Sequence, residues 1–195
     1  NCGQSCIAAK RFILLESIYD EFVEKFTNAV SKLPAGDPLK ESTKVGPMAR
    51  KDLADQLQVQ VVQSINAGAE LLLGGKQKNC YHEPTVLGNV KPGMAAFDEE
   101  TFGPLAAMIK AKSIDEAFAL SEMSKFGLGV TVCTTNIPKA LEYADRVSDG
   151  AYFVNELVKS DPRLPFGGEK TSGYGRELAK DGMMEFMNRK TVYVK

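Results

Sequence analysis

Apolar residues recur along this chain with two alternating spacings, and the alternation predicts the architecture. Arg11 to Leu15 is a short apolar run of strand length. After it, Ile18, Phe22, Phe26 and Val30 repeat at the spacing of one helical face, and Ser17-x-x-Asp20 has the form of a capping box at its start. Gly36-Asp37-Pro38 closes that unit, and residues 36–49, rich in Pro, Gly, Ser and Thr, read as a long loop. Leu53, Leu57, Val61 and Ile65 mark a second helix that stops at Gly68. Leu71 to Leu73 reads as a buried strand closed by Gly74-Gly75, and Leu105 to Lys110 as another strand. A helix capped by Ser113 and Glu116 follows.

Gly129 to Thr134 returns as a strand, Pro138 opens a helix, and Ala151 to Asn155 is again a strand. A glycine-rich stretch from Pro165 to Gly175 leads into a last helix over residues 177–188, and Thr191 to Lys195 alternates like an exposed strand. Strands separated by helices predict an α/β fold, a mostly parallel sheet with flanking helices. No internal repeat or low-complexity segment interrupts the pattern.

Composition narrows the function classes. The chain has 195 residues, 44% hydrophobic and 25% charged, enough for a sizeable core. Its net charge of −1 leaves no basic surface for nucleic acid or anionic membrane. No apolar run reaches the roughly 20 residues that span a bilayer. No secretory signal is visible and the 4 cysteines make a poor disulfide framework, so the cytoplasm is the expected location. No metal site is expected.

Three constellations carry chemistry. The first is Asn1-Cys2-Gly3-Gln4-Ser5-Cys6. A nucleophilic cysteine needs an accessible thiolate, which a helix N-terminus or a polarised turn stabilises, and Gly3, Ser5, Ala8 and Ala9 leave room for a substrate. A lone cysteine is more commonly a small buried hydrophobe. The second is Asp98-Glu99-Glu100-Thr101-Phe102-Gly103-Pro104, which by itself reads as a solvated acidic turn before a strand. The third is Pro165-Phe166-Gly167-Gly168-x-Lys170-x-Ser172-Gly173-x-Gly175-Arg176-Glu177, whose glycines lack the spacing of a phosphate loop and are expected to serve tight backbone packing. His82 is the single histidine, in what reads as a loop, and Cys80 and Cys133 read as structural.

Taken together, the order and spacing of Gly-Gln-x-Cys, Ile18-Tyr19-Asp20-Glu21-Phe22, Gly36-Asp37-Pro38, Gly46-Pro47, Glu-x-Phe-Gly-Pro and the C-terminal glycines resemble the aldehyde dehydrogenase superfamily over essentially the whole chain. The resemblance implies a catalytic domain over residues 1–187 and an oligomerisation strand over 188–195. It makes Cys6 the nucleophile, sets Glu100 against the nicotinamide ribose with Glu99 as a neighbour only, and packs Phe102 beside the nicotinamide. Phe166 would lie near the aldehyde. Pro47-Met48-Ala49-Arg50 and Lys159-Ser160-Asp161-x-Arg163-x-Pro165-Phe166 look most like the succinate-semialdehyde branch, where Ser160 and Arg163 are candidates for the distal carboxylate or else solvated loop residues.

The implied reaction is oxidation of an aldehyde to the acid through a Cys6 thioester, with NAD or NADP as cofactor and a homo-oligomer, dimer or tetramer, as the assembly. The oxyanion asparagine and base glutamate of the family precede the nucleophile, as does its Rossmann domain. The chain opens at Asn1 directly on the cysteine motif, so the expectation is a fragment, inactive alone. Leu53 departs from relatives that carry a glutamine near the ribose. Cys2 reads either as a neutral small residue or as a thiol able to trap Cys6 under oxidation. A CoA-acylating relative and a non-catalytic structural module are the competing readings.

Overall fold

The longest apolar runs pair with one another in a single sheet. The computed structural model describes residues 1–195, which divide into two units, Asn1–Ser121 and Glu122–Lys195. In the first, β1 (Arg11–Leu15) leads into α1 (Glu16–Ser31), α2 (Lys51–Asn66), β2 (Glu70–Leu73), a hairpin of β3 (Gln77–Lys78) and β4 (Tyr81–His82), β5 (Thr85–Gly88), α3 (Ala95–Asp98), β6 (Leu105–Ala111) and α4 (Ile114–Glu122). The sheet order is β1-β6-β5-β2. The first three of these strands run parallel, with Ile13 opposite Ile109 and Val86 opposite Ala106, and β2 is antiparallel to β5.

The period of two along a strand divides the core into two layers. Ile13, Leu87, Leu105, Ala107 and Ile109 face α2, packing with Leu57, Val61 and Phe97. Phe12, Leu14, Val86, Ala106 and Met108 face the opposite way, against Tyr19, Phe22, Val23, Phe26 and Val30 of α1. Covered on both sides, β6 is continuously apolar from Leu105 to Ile109, the pattern of a parallel strand between helices. Leu57 and Val61 are at most 1% exposed, so cutting Leu57 to alanine would cost about 2–5 kcal/mol.

Four expectations for this unit are corrected. α1 begins straight from β1 at Glu16 with no side-chain cap, so the Ser17-x-x-Asp20 box does not form. Phe22, Phe26 and Val30 pack on the sheet as expected, but the residue that joins them from the first turn is Tyr19, 6% exposed, and not Ile18, 49% exposed. Tyr19 is tolerated inside because its hydroxyl accepts from the Asn89 N–H at 2.9 Å while Lys110 Nζ lies 4.5 Å from its ring centroid. β2 is an edge strand with Leu71 exposed rather than a buried one, because it has a partner on one side only. The cap of α4 does form as expected: Ser113 Oγ accepts from the Glu116 N–H, and the Glu116 carboxylate accepts from the Lys112 N–H. His82 lies in β4 and is fully buried rather than in a loop.

The second unit is built from short elements. They are β7 (Phe126–Gly127), β8 (Val130–Val132), α5 (Ile137–Glu142), a 3-10 turn at Ala144–Arg146, β9 (Tyr152–Val154), β10 (Glu169–Lys170) and α6 (Ala179–Met184). β8 pairs parallel with β9, and β7 antiparallel with β10. Asn136 caps α5 by accepting from the Lys139 N–H, with Pro138 in the first turn. The last helix is shorter than its apolar pattern predicted, beginning after Leu178 at φ 65° and Ala179 at φ 50°. Residues 191–195 form no strand within the chain, since no segment pairs with them, and Val192, Tyr193 and Val194 are 75–84% exposed. No helix is long and apolar enough to cross a membrane.

Candidate active site

The cysteine motif folds as two successive turns ahead of β1. The Gln4 N–H donates to the Asn1 carbonyl at 3.0 Å and the Ala8 N–H to the Ser5 carbonyl at 3.1 Å, leaving Cys6 exposed at the second turn. Gly3 has φ +78°, and a Cβ there would sit 1.9 Å from the Gly103 carbonyl oxygen. The absence of a side chain at Gly3 is therefore what lets the cysteine loop lie against Gly103. On the other flank, Gln4 Oε1 accepts from the Ala49 N–H at 2.8 Å, which ties the loop to the segment before α2.

The acidic motif is held from beneath. Gln60, buried on α2, donates to the Glu99 carboxylate at 2.8 Å and to the Glu100 carbonyl at 3.2 Å. Burial then alternates: Glu100 exposed, Thr101 1% exposed, Phe102 36% exposed, Gly103 buried. An extended backbone puts alternate residues on one side, so the Glu-x-Phe spacing presents the carboxylate and the aromatic together. Gly103 packs so closely on α2 that a Cβ would meet Leu57 at 2.6 Å and Met48 at 2.9 Å. Leu53, Gln56, Leu57, Gln60, Glu100 and Phe102 line a shallow depression of about 30 Å³. Leu53, the departure noted in the sequence, is on its wall. A wider hollow of about 450 Å³ at the carboxyl ends of β1 and β6, lined by Leu15, Glu16, Ser17, Lys112, Ser113 and Ile114, holds none of the expected site residues.

Lys10 joins the two motifs, and sequence reasoning passed over it. Its Nζ donates to the carbonyls of Gly3 at 2.8 Å and Ser5 at 3.1 Å, and lies 4.6 Å from the Phe102 ring centroid. Burial pushes its amine below the usual lysine value, while the Glu100 carboxylate and then the Cys6 sulfur favour the charged form. The ammonium thus ties the Gly3 and Ser5 carbonyls of the cysteine turn to the Phe102 ring of the acidic motif. Cys2 turns aside, with Sγ 3.4 Å from the Lys44 carbonyl, and all four cysteines are free thiols. Cys133, read as structural, is exposed just beyond β8, and Cys80 is half-buried.

The remaining expected residues belong to the second unit. Ser160 is exposed in the segment after β9. Arg163 is exposed and forks onto Asp161, with Nε–Oδ1 at 2.9 Å and Nη2–Oδ2 at 2.6 Å, a pairing that holds the Asp161 carboxyl well below the usual range. Phe166 is half-buried, its backbone exchanging both hydrogen bonds with Glu177 at 2.8 and 2.7 Å. The glycines there serve close backbone packing: a Cβ on Gly150 would be 1.9 Å from the Gly167 carbonyl oxygen, and one on Gly167 would be 2.3 Å from that of Gly175.

Comparison with known proteins matches this geometry to one family. Residues 1–192 match the model of the aldehyde dehydrogenase family. The succinate semialdehyde dehydrogenase [NAD(P)+] Sad of Escherichia coli (strain K12) is 47% identical over 99% of this chain and 42% of its own length. The crystal structure of a Mycobacterium tuberculosis aldehyde dehydrogenase complexed with NAD+ superposes with a TM-score of 0.94 at 33% identity, over 100% of this chain and 41% of that one. Aldehyde dehydrogenase 21 from Physcomitrella patens, in complex with the reaction product succinate, gives a TM-score of 0.88 at 34% identity, over 93% and 38%. The chain spans about 42% of the length of the curated relative. It belongs to the aldehyde dehydrogenase family.

Proposed function

We propose that this chain is the nucleophile-bearing part of an NAD(P)-dependent aldehyde dehydrogenase that oxidises succinate semialdehyde to succinate. The observation that carries the reading is that Lys10 links the turn bearing Cys6, through the Gly3 and Ser5 carbonyls, to the Phe102 ring of the acidic motif. Relatives named for succinate semialdehyde, and a structural neighbour holding succinate, support the substrate.

In the proposed reaction the Cys6 thiolate attacks the aldehyde carbon and forms a thiohemiacetal, whose oxyanion is held in part by the Cys6 backbone N–H. The residues present fit a nicotinamide cofactor: Glu100 offers an exposed carboxylate able to accept from a ribose diol, and Phe102 an exposed ring two residues on. When bound, that group supplies the hydride acceptor. Loss of hydride from the thiohemiacetal leaves a Cys6 thioester, and hydrolysis returns the thiol and releases the acid. Phe166 flanks the aldehyde, and Ser160 and Arg163 are the candidates for its distal carboxylate, Arg163 being already engaged by Asp161.

The family's oxyanion asparagine and base glutamate are not among these residues, so the 195-residue segment alone is expected to be inactive. The exposed apolar residues Val192, Tyr193 and Val194 support pairing of residues 188–195 with a neighbouring subunit in a dimer or tetramer. The cytoplasm remains the expected location.

The test is NAD(P)H formation with succinate semialdehyde by the full-length polypeptide containing this sequence, as wild type and as Cys6→Ala. Turnover that disappears in the folded variant supports the assignment. Turnover with other aldehydes but not this one removes the substrate, product formation that requires CoA replaces hydrolysis with acylation, and undiminished turnover in Cys6→Ala overturns the reading.

A further inference from the structure

Lys10 stands between small residues and a strand, where a lysine ordinarily extends its stem over the surface and leaves its charge in water. Here the ammonium itself is engaged. It uses its donors on the Gly3 and Ser5 carbonyls, the two that flank Gln4, and lies over the face of Phe102. Arg11, the adjacent cation, is directed elsewhere: it donates to the Phe97 carbonyl and covers the Phe97 ring at 4.1 Å. The charges that favour its protonated form are those of Glu100, from the loop after α3, and Cys6, from its own loop. A half-buried ammonium gives up hydration, and it is stable in that place because carbonyls, a ring face and a carboxylate replace the lost water.

We propose that Lys10 is a positioning residue for the Cys6 site: it pins the nucleophile turn against the Phe102 wall and holds a positive charge on the Ser5 carbonyl, which precedes Cys6. The role rests on the reading of Cys6 as nucleophile. It requires both the donors and the charge, so arginine substitutes in part and a neutral side chain of the same length does not.

The experiment uses the full-length polypeptide containing this sequence, as wild type, Lys10→Met and Lys10→Arg. Alkylation at Cys6 is followed by peptide mass analysis with neutral iodoacetamide and with anionic iodoacetate, in the absence of cofactor and aldehyde. One unit charge several ångströms away in a largely aqueous setting changes the encounter with an anion by roughly threefold. Lys10→Met is expected to lower the iodoacetate-to-iodoacetamide rate ratio by about that factor, and Lys10→Arg to restore most of it. In turnover, Lys10→Met is expected to lower kcat by about tenfold or more while KM for the aldehyde changes little, the signature of a displaced reacting group.

An unchanged ratio in folded Lys10→Met overturns the proposal, as does a Lys10→Arg protein as depleted as Lys10→Met. If Lys10→Met does not fold, Lys10→Gln, which keeps donors without the charge, is read in the same way. Failure of both to fold makes Lys10 a determinant of folding and also overturns the positioning role. Alkylation needs neither cofactor nor substrate, so the ratio is decisive even where the aldehyde assignment fails.

Discussion

Gly3→Ala offers the sharpest test of how the site is built. The new Cβ would sit 1.9 Å from the Gly103 carbonyl oxygen and 2.7 Å from its carbon. Both are backbone atoms, and Gly103 is itself backed by Leu57 and Met48, so neither partner has a flexible end that can yield. To reach a tolerable 3.0 Å contact the cysteine loop must lift by about 1.1 Å. That movement draws the Gly3 and Ser5 carbonyls away from Lys10 and carries Cys6 away from Phe102. A misplacement of about 1 Å at reacting atoms costs on the order of a hundredfold, so kcat/KM should fall by about two decades, equivalent to about 2.7 kcal/mol.

Alanine at φ +78° adds backbone strain of about 1–3 kcal/mol, which lowers stability as well. Gly93→Ala separates the two effects. Gly93 has φ +90° with nothing within 4 Å of the added Cβ, so it carries the strain without the clash. The assay is NAD(P)H formation by the full-length polypeptide, with thermal melting and Cys6 alkylation on the same samples. Both variants should lose melting temperature, but only Gly3→Ala should lose turnover per folded molecule. A folded Gly3→Ala within threefold of wild-type turnover, or a Gly93→Ala equally impaired per folded molecule, would refute the reasoning.

Two further outcomes concern the scaffold. His82 is fully buried, its Nδ1–H donating to the Glu83 carbonyl at 2.8 Å, and burial lowers its pKa. An unfolded histidine takes up its proton near pH ~6.5, so below that pH the unfolded state binds more protons and the fold loses stability, by at most about 1.4 kcal/mol between pH ~6.5 and ~5.5. Urea midpoints should decline over that window in wild type and stay flatter in His82→Gln; parallel slopes would count against the assignment. Ser64 is 0% exposed, donates to the Gln60 carbonyl at 2.8 Å and accepts from the Ala96 N–H at 2.8 Å. Ser64→Ala strands that N–H and should cost about 1–3 kcal/mol in denaturant unfolding, with a loss under about 0.5 kcal/mol as the contrary result.

The sequence displayed what depends on continuous patterns. Arg11 to Leu15 and Leu105 to Lys110 read as runs of strand length, and they became the parallel neighbours β1 and β6. Leu57 and Val61 marked the face of α2 correctly. The errors fall where a tertiary partner decides. Ile18 and Tyr19 differ by one residue, and Tyr19 is inside because the Asn89 N–H, seventy positions away, satisfies its hydroxyl. Leu71 is exposed because β2 lies at the sheet edge, which its own composition does not reveal. In the candidate site, motif spacing singled out Cys6, Glu100 and Phe102. Lys10 was not, since a lysine beside an arginine carries no period and its partners are backbone carbonyls and a ring 92 positions away.

The Glu-x-Phe-Gly-Pro motif is anchored by its two inward residues. Thr101 is buried between Glu100 and Phe102, and Gly103 is pressed onto Leu57 and Met48. These inward positions fix the extended backbone, and fixing it aims the two outward side chains. The same Gly103 supports Gly3, so the support passes in one line from the core of α2 through a backbone contact to the loop that carries Cys6. Packing of that core and placement of Cys6 are therefore coupled by hard-sphere contacts, which tolerate little adjustment. A cavity at Leu57 should consequently misplace Cys6 as well as destabilise the sheet, whereas truncating the exposed Ile18 on the other side of the sheet should do neither.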